Sequence, residues 1–179
     1  MKKTYVIDTN VLIQAPYALN CFEDNNLILP LVVMEELDGL KKAEGEKGAN
    51  ARAAVRLLEG YREAGDLLTG VRLPGGGTLR IEKNFVNVEL PSDLPEDKAD
   101  NRILKVCKGL KDIDEKGQII LVTKDLVLRI KAQILGIKAE DFSTEQISEG
   151  DAQYTGRCEV YMPEELIKEL WGSILCRRR

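Results

Sequence analysis

At 179 residues, 44% hydrophobic and 31% charged, the chain has the composition of one globular domain with room for a short appendage, and no apolar run approaches the ~20 residues of a membrane span. A formal net charge of -4 gives no bulk attraction for nucleic acid, so any such binding falls to local basic patches. The absence of histidine excludes Ser-His-Asp and Cys-His nucleophiles and the usual His-containing zinc sites, and the four cysteines (Cys21, Cys107, Cys158, Cys176) lack C-x-x-C spacing and read as reduced thiols.

Met1-Lys2-Lys3-Thr4 leads straight into a strand over residues 4–8, without the apolar core and cleavage site of a signal peptide, so a cytoplasmic location is expected. Asp8-Thr9-Asn10 follows, where Asp8 reads either as a turn residue or as a functional acid at a strand end. A short helical piece is expected around 16–22, then a strand at Leu27-Ile28-Leu29. Pro30 opens a helix whose Val33, Leu37 and Leu40 form one stripe. At ~100° per residue Glu36 lies at the edge of that stripe and Glu35 points away, so Glu36 is the acid able to reach a central cleft. Gly45 and Gly48 are expected to separate this helix from another over 50–64, stopped by Gly65.

Residues 71–81 alternate polar and apolar around Gly75-Gly76-Gly77, the pattern of a β-hairpin; the glycines lack P-loop spacing. Pro91 to Pro95 is a loop. The next helix begins near Asp100, an N-cap candidate, and buries Ile103, Cys107 and Leu110; Asp97 is the weaker competitor in the loop before it. Ile119 to Val122 is a second fully apolar strand, followed by Thr123-Lys124-Asp125, a helix over 125–135 ended by Gly136, and a short strand at 137–139. Asp125 and Thr123 compete as caps of that helix, and the Thr123 hydroxyl could otherwise serve a metal-bound water or a phosphate. Beyond residue 140 the chain turns polar, and a last helix is expected to carry Leu166, Leu170 and Trp171. The Arg177-Arg178-Arg179 tail reads as a place where a longer protein was cut.

Short apolar strands buried on both faces are typically parallel and covered by helices, and such sheets carry their sites beyond the carboxyl ends of the strands. That topology gathers Asp8, Glu36, Asp100 and Asp125 near one sheet edge. Like charges at such an edge repel unless a cation or proton sits among them. An oxygen-only ligand set favours Mg²⁺ or Mn²⁺. Two such ions can activate a water and stabilise the leaving oxygen of a phosphodiester without a histidine base. Basic residues able to meet a phosphate backbone include Lys41, Lys42, Lys47, Arg52 and Arg56, with Arg129 and Lys131 separately; the plain reading of each is a solvated helix face.

The segments Val6-Ile7-Asp8-Thr9-Asn10, Val33-Met34-Glu35-Glu36-Leu37, Asp100-Asn101-Arg102-Ile103-Leu104 and Leu121-Val122-Thr123-Lys124-Asp125 resemble, in order, the acidic motifs of the PIN domain family of metal-dependent ribonucleases. The resemblance implies a three-layer α/β/α fold with a central mainly parallel sheet, here with an added β-hairpin and a short C-terminal appendage. It implies Asp8, Glu36, Asp100 and Asp125 as metal ligands. In the leading reading, an Mg²⁺- or Mn²⁺-dependent ribonuclease acting on single-stranded RNA, Asn10 and Thr123 are expected to orient carboxylates or water, and Lys41, Arg80 and Arg129 to track the phosphate backbone. Gly76 to Glu82, Glu36 to Lys41 and Tyr154-Thr155-Gly156 also resemble proteins that fuse a PIN domain to a PhoH-type ATPase. Since no Walker A segment is present, residues 1–145 are expected to be the nuclease domain and 146–179 the start of a connection to an absent ATPase domain. Self-association is expected from the resemblance alone. Two other readings compete. One is a catalytically weak PIN-like RNA-binding or assembly module; the other is a haloacid-dehalogenase-like phosphatase, disfavoured because Asp8-Thr9-Asn10 lacks the second carboxylate of D-x-D.

Overall fold

The apolar runs at Tyr5-Val6-Ile7 and Ile119 to Val122 lie side by side at the centre of a six-stranded sheet, in a computed structural model that describes residues 2–114 and 117–142. The strands are β1 (Thr4–Ile7), β2 (Asn26–Pro30), β3 (Val71–Arg72), β4 (Thr78–Glu82), β5 (Ile119–Val122) and β6 (Lys138–Glu140), in the order β3-β4-β2-β1-β5-β6. All pairings are parallel except β3 with β4. Val6, Ile7, Leu27, Leu29, Ile120 and Leu121 are completely buried, as strands covered on both faces require.

Helices α1 (Thr9–Gln14), α2 (Leu31–Leu40) and α3 (Gly45–Ala64) connect β1 to β2 and β2 to the hairpin; α4 (Ala99–Ile113) and α5 (Leu126–Ile134) lead into β5 and β6. Right-handed crossovers running in opposite directions along the sheet place the first group on one face and the second on the other. The result is the α/β/α architecture expected from the sequence.

Three local expectations change. The chain turns directly from β1 into α1 at Thr9, so Asp8 is not in a loop turn; the helical piece further on is a 3₁₀ helix at Pro16–Asn20. Six residues are too few to display a helical period, and Val11 and Leu12 are buried by tertiary packing instead. The hairpin over 71–81 is present, but β4 pairs in parallel with β2 along its whole length and belongs to the main sheet, leaving β3 as its edge. Gly45 and Gly48 do not break α3, which starts at Gly45 and runs through Gly48. The last helix expected around Leu166 to Trp171, and the boundary near residue 145, lie outside the described residues.

The long segment before α4 is tied down by side chains of that helix, among them Lys108, whose ammonium donates to the Glu89 carbonyl at 2.7 Å. Asn101 Nδ2 donates to the Pro95 carbonyl at 2.7 Å, and the buried Lys105 ammonium meets Glu96 Oε1 at 2.6 Å and the Val86 carbonyl at 3.4 Å. A buried ammonium is tolerated only when paired in this way. These bonds fix where α4 begins, and with it Asp100.

A Cβ on Gly48 would fall 1.8 Å from the Ala43 carbonyl oxygen, whereas one on Gly60, in the same helix, meets nothing within 4 Å. Alanine is worth up to about 1 kcal/mol over glycine inside a helix, and a forced backbone shift costs about 1–3 kcal/mol. Gly60→Ala should therefore raise the denaturation midpoint while Gly48→Ala lowers it, despite their equal propensity gain. Urea unfolding followed by circular dichroism checks the pair, and two shifts of the same sign would contradict the packing assigned to Gly48.

Candidate active site

Ile7 and Val122 are register partners, and the Asp8 amide continues the ladder to the Val122 carbonyl at 3.1 Å, so Asp8 and Thr123 leave their strands together. Thr123 is fully buried and Asp8 is only 2% exposed. Thr123 Oγ1 donates to Asp8 Oδ2 at 2.6 Å, Asn10 Nδ2 donates to the same oxygen at 3.2 Å, and Thr123 Oγ1 accepts from the Asp125 amide at 3.0 Å. Asp8 is thus held by a hydroxyl and an amide.

Glu36 projects from α2, half-buried, and accepts a short hydrogen bond from Thr9 Oγ1. Glu35 is exposed and pairs with Arg102 at 3.2 Å, so the helix stripe separates the two acids as the sequence predicts. Thr9 is a contributor that a search for acids alone misses; the hydroxyl immediately after Asp8 is its only signal in the sequence.

Asp100 does not cap α4. Lys98 occupies that position and Asp100 lies in the first turn, its Oδ2 3.3 Å from the Lys131 ammonium. Lys131, whose sequence context suggests a solvated helix face, is therefore an internal partner of the acidic group. Asp125 does cap α5: its Oδ1 accepts from the amides of Val127 at 2.7 Å and Leu128 at 3.3 Å, and Thr123, facing Asp8, leaves that role to it. The basic residues Lys41, Arg80 and Arg129 sit beside acids of their own, Asp38, Glu82 and Asp141.

Burial pushes the Asp8 carboxyl up to about 6. Its Thr123 and Thr9 hydrogen bonds pull it back, and the like charges of Asp100 and Glu36 raise it further. Asp8, Glu36 and Asp100 therefore share one electrostatic neighbourhood. Among the described residues no three acids or thiols are grouped tightly enough to ligate a single ion. The donor chemistry nevertheless fits a hard cation. The donors are oxygens, and Asp8 and Glu36 have neutral hydrogen-bond donors, not cations, as their partners. Asp8, Glu36 and Asp100 are the acids whose charges meet here, and Asp125 joins the same hydrogen-bond network through Thr123.

A carboxyl raised in the folded state stabilises the fold fully below its unfolded value, and that contribution is lost as pH rises through the folded value. For Asp8 the window runs from the ordinary 3.8 to about 6; the loss across it is about 3 kcal/mol. With chelator present, urea midpoints should fall across this window for the natural chain. Asp8→Asn should remove that component and be the more stable protein at pH 8. Superimposable pH profiles for the two proteins would refute the burial argument.

Residues 5–143 match the PIN domain family. The chain is 41% identical to "Protein PhoH2" of Bacillus subtilis over 97% of its length, covering 40% of that protein. It is 35% identical to "Protein PhoH2" of Mycolicibacterium smegmatis over 96% of its length, covering 39% of that protein. It thus spans about two fifths of the length of these curated relatives. Among solved structures it is similar to a domain of a functionally unknown protein from Methanocaldococcus jannaschii, at 20% identity and a TM-score of 0.49, covering 90% of this chain and 99% of that one. With the match extending across both central strands and all four acidic segments, the chain belongs to the PIN domain family.

Proposed function

We propose that the chain is an Mg²⁺- or Mn²⁺-dependent endoribonuclease that hydrolyses phosphodiester bonds of single-stranded RNA. The observation that carries this reading is the buried Asp8 carboxylate, set against Glu36 and Asp100 and held, among the described residues, by neutral donors. PIN domains are generally metal-dependent nucleases, which supports it. A divalent ion bound there would lower the pKa of a water and offset charge on the scissile phosphate. The protein's own contribution is positional. Thr123 and Asn10 fix Asp8 through its Oδ2, Thr9 fixes Glu36, and Lys131 limits repulsion from Asp100. Lys41, Arg80 and Arg129 would supply outer contacts to the RNA backbone, each weakened by its acidic neighbour.

The same reading takes residues 1–145 as the nuclease part of a longer cytoplasmic protein, with 146–179 leading toward a PhoH-type ATPase domain. The similarity to longer PhoH2 proteins supports this arrangement. Self-association is part of the proposal; Leu126, Val127, Ile130 and Ile134 give α5 an exposed apolar surface on which it could rest.

Two observations favour a second reading, a catalytically weak RNA-binding module: Asp125 spends an oxygen on its helix cap, and Asp100 already has a lysine. Metal titration separates the readings. Mn²⁺ at about a hundredfold over its Kd should stabilise the fold by about 2.7 kcal/mol, seen as a rise in Tm that Glu36→Gln reduces. RNA binding without any Mn²⁺-dependent rise would favour the module. In a cleavage assay on a pool of single-stranded RNAs, Asp8→Asn should abolish metal-dependent cleavage while its circular dichroism stays native. Undiminished cleavage by that variant would remove Asp8 from the mechanism.

A further inference from the structure

We infer that the cavity between α1 and the start of α3 seats one nucleotide of the RNA strand beside the cut, with Lys47 and Lys124 on the flanking phosphates; this rests on the nuclease reading above. The cavity has a volume of about 550 Å³, within the range of small-ligand sites. Its position connects it to the acids. Asn10, which donates to Asp8, and Asp125, whose amide donates to Thr123, both line it. A strand whose scissile phosphate lay at Asp8 would meet this cavity through the two residues that the site and the cavity share, Asn10 and Asp125.

The lining suits one sugar-base unit with a charged edge. Ile13 supplies an apolar wall, and the amides of Gln14 and Asn50 supply polar groups. Asn50 is preset, because its Nδ2 donates to the Ile13 carbonyl at 2.8 Å and leaves its side-chain oxygen for another partner. Lys47 and Lys124 make no ion pair among the described residues, in contrast to Lys41, Arg80 and Arg129. Ammonium groups of this kind on a wall next to an acidic centre are placed to meet backbone phosphates. Glu46 also lines the cavity and opposes a phosphate there, which gives the inference a second sign to test. Among the described residues no aromatic side chain lines the cavity, so base identity should matter little.

The test uses the full chain carrying Asp8→Asn, so that RNA is bound and not cut, and a fluorescein-labelled single-stranded oligouridine read by anisotropy across a salt series. Removing one phosphate-binding cation should flatten the slope of log affinity against log salt by about 0.7. Lys47→Ala with Lys124→Ala should therefore flatten it by about 1.4 and weaken binding about tenfold at low salt. Lys47→Arg with Lys124→Arg should restore the slope, Glu46→Gln should tighten binding, and Arg62→Ala, at the far end of α3, should change nothing. In the cleaving background the lysine pair should raise KM. If the natural chain cleaves RNA but the alanine pair keeps its slope and KM, this cavity is not the seat and the nuclease reading stands. If the natural chain neither binds nor cleaves RNA with Mg²⁺ or Mn²⁺, both fall together.

Discussion

Asp8 sits at the point where the central strand of a mainly parallel sheet ends and a helix begins, with almost none of its surface exposed to water and, among the described residues, no cation as its direct partner. Burying a carboxylate disfavours its ionised form, and two further acids nearby deepen that cost. Much of the site's architecture serves this one group. The hydroxyl of Thr123 and the amide of Asn10 both donate to its Oδ2, and the parallel register of β1 with β5 puts Thr123 where it must be. Electrostatic strain of this kind is retained where it has a use, and perturbed carboxyls gather at functional sites for that reason. Structural ion-pair networks perturb carboxyls as well, but here the partners of Asp8 are neutral.

The surrounding layers determine how close the other acids come. α2 leaves β2 directly after Pro30 and brings Glu36 over the end of β1, where Thr9 anchors it. α4 arrives from the opposite side after a long loop pinned by Asn101 and the buried Lys105, which places Asp100 in its first turn. Asp125 serves two ends at once: its carboxylate caps α5 while its amide is bonded to Thr123. The fold therefore supplies acids of different character. One is buried and held by neutral donors, one is held by a hydroxyl, one is balanced by Lys131, and one is committed to a helix end.

The cations divide along a similar line. Lys41, Arg80 and Arg129 lie beside acids, and surface pairs of that sort contribute about 0–1 kcal/mol while reducing the charge offered to a phosphate. Lys47 and Lys124 stand at a cavity wall instead. In the sequence Lys47 merges into a general basic patch and Lys124 carries no signal at all, because ion pairing depends on neighbours brought from other elements.

Local chemistry along the chain is enough to give the parallel sheet, its two buried central strands and the acids at their ends. A strand buried on both faces must be apolar along its length, and the first polar residue after it marks the exit. The same local geometry separates Glu36 from Glu35, since a helical stripe is set by neighbours a few residues away. Features that depend on a partner distant in the chain emerge only on folding. The α1 helix is too short to carry a period and exists because the core takes Val11 and Leu12. Gly48 stays within α3 because the Ala43 carbonyl leaves no room for a side chain. Asp100 sits inside its helix and not at its cap, and Lys131 reaches it from α5 across 31 positions of sequence. Periodicity records which face a residue occupies; only packing records what that face meets.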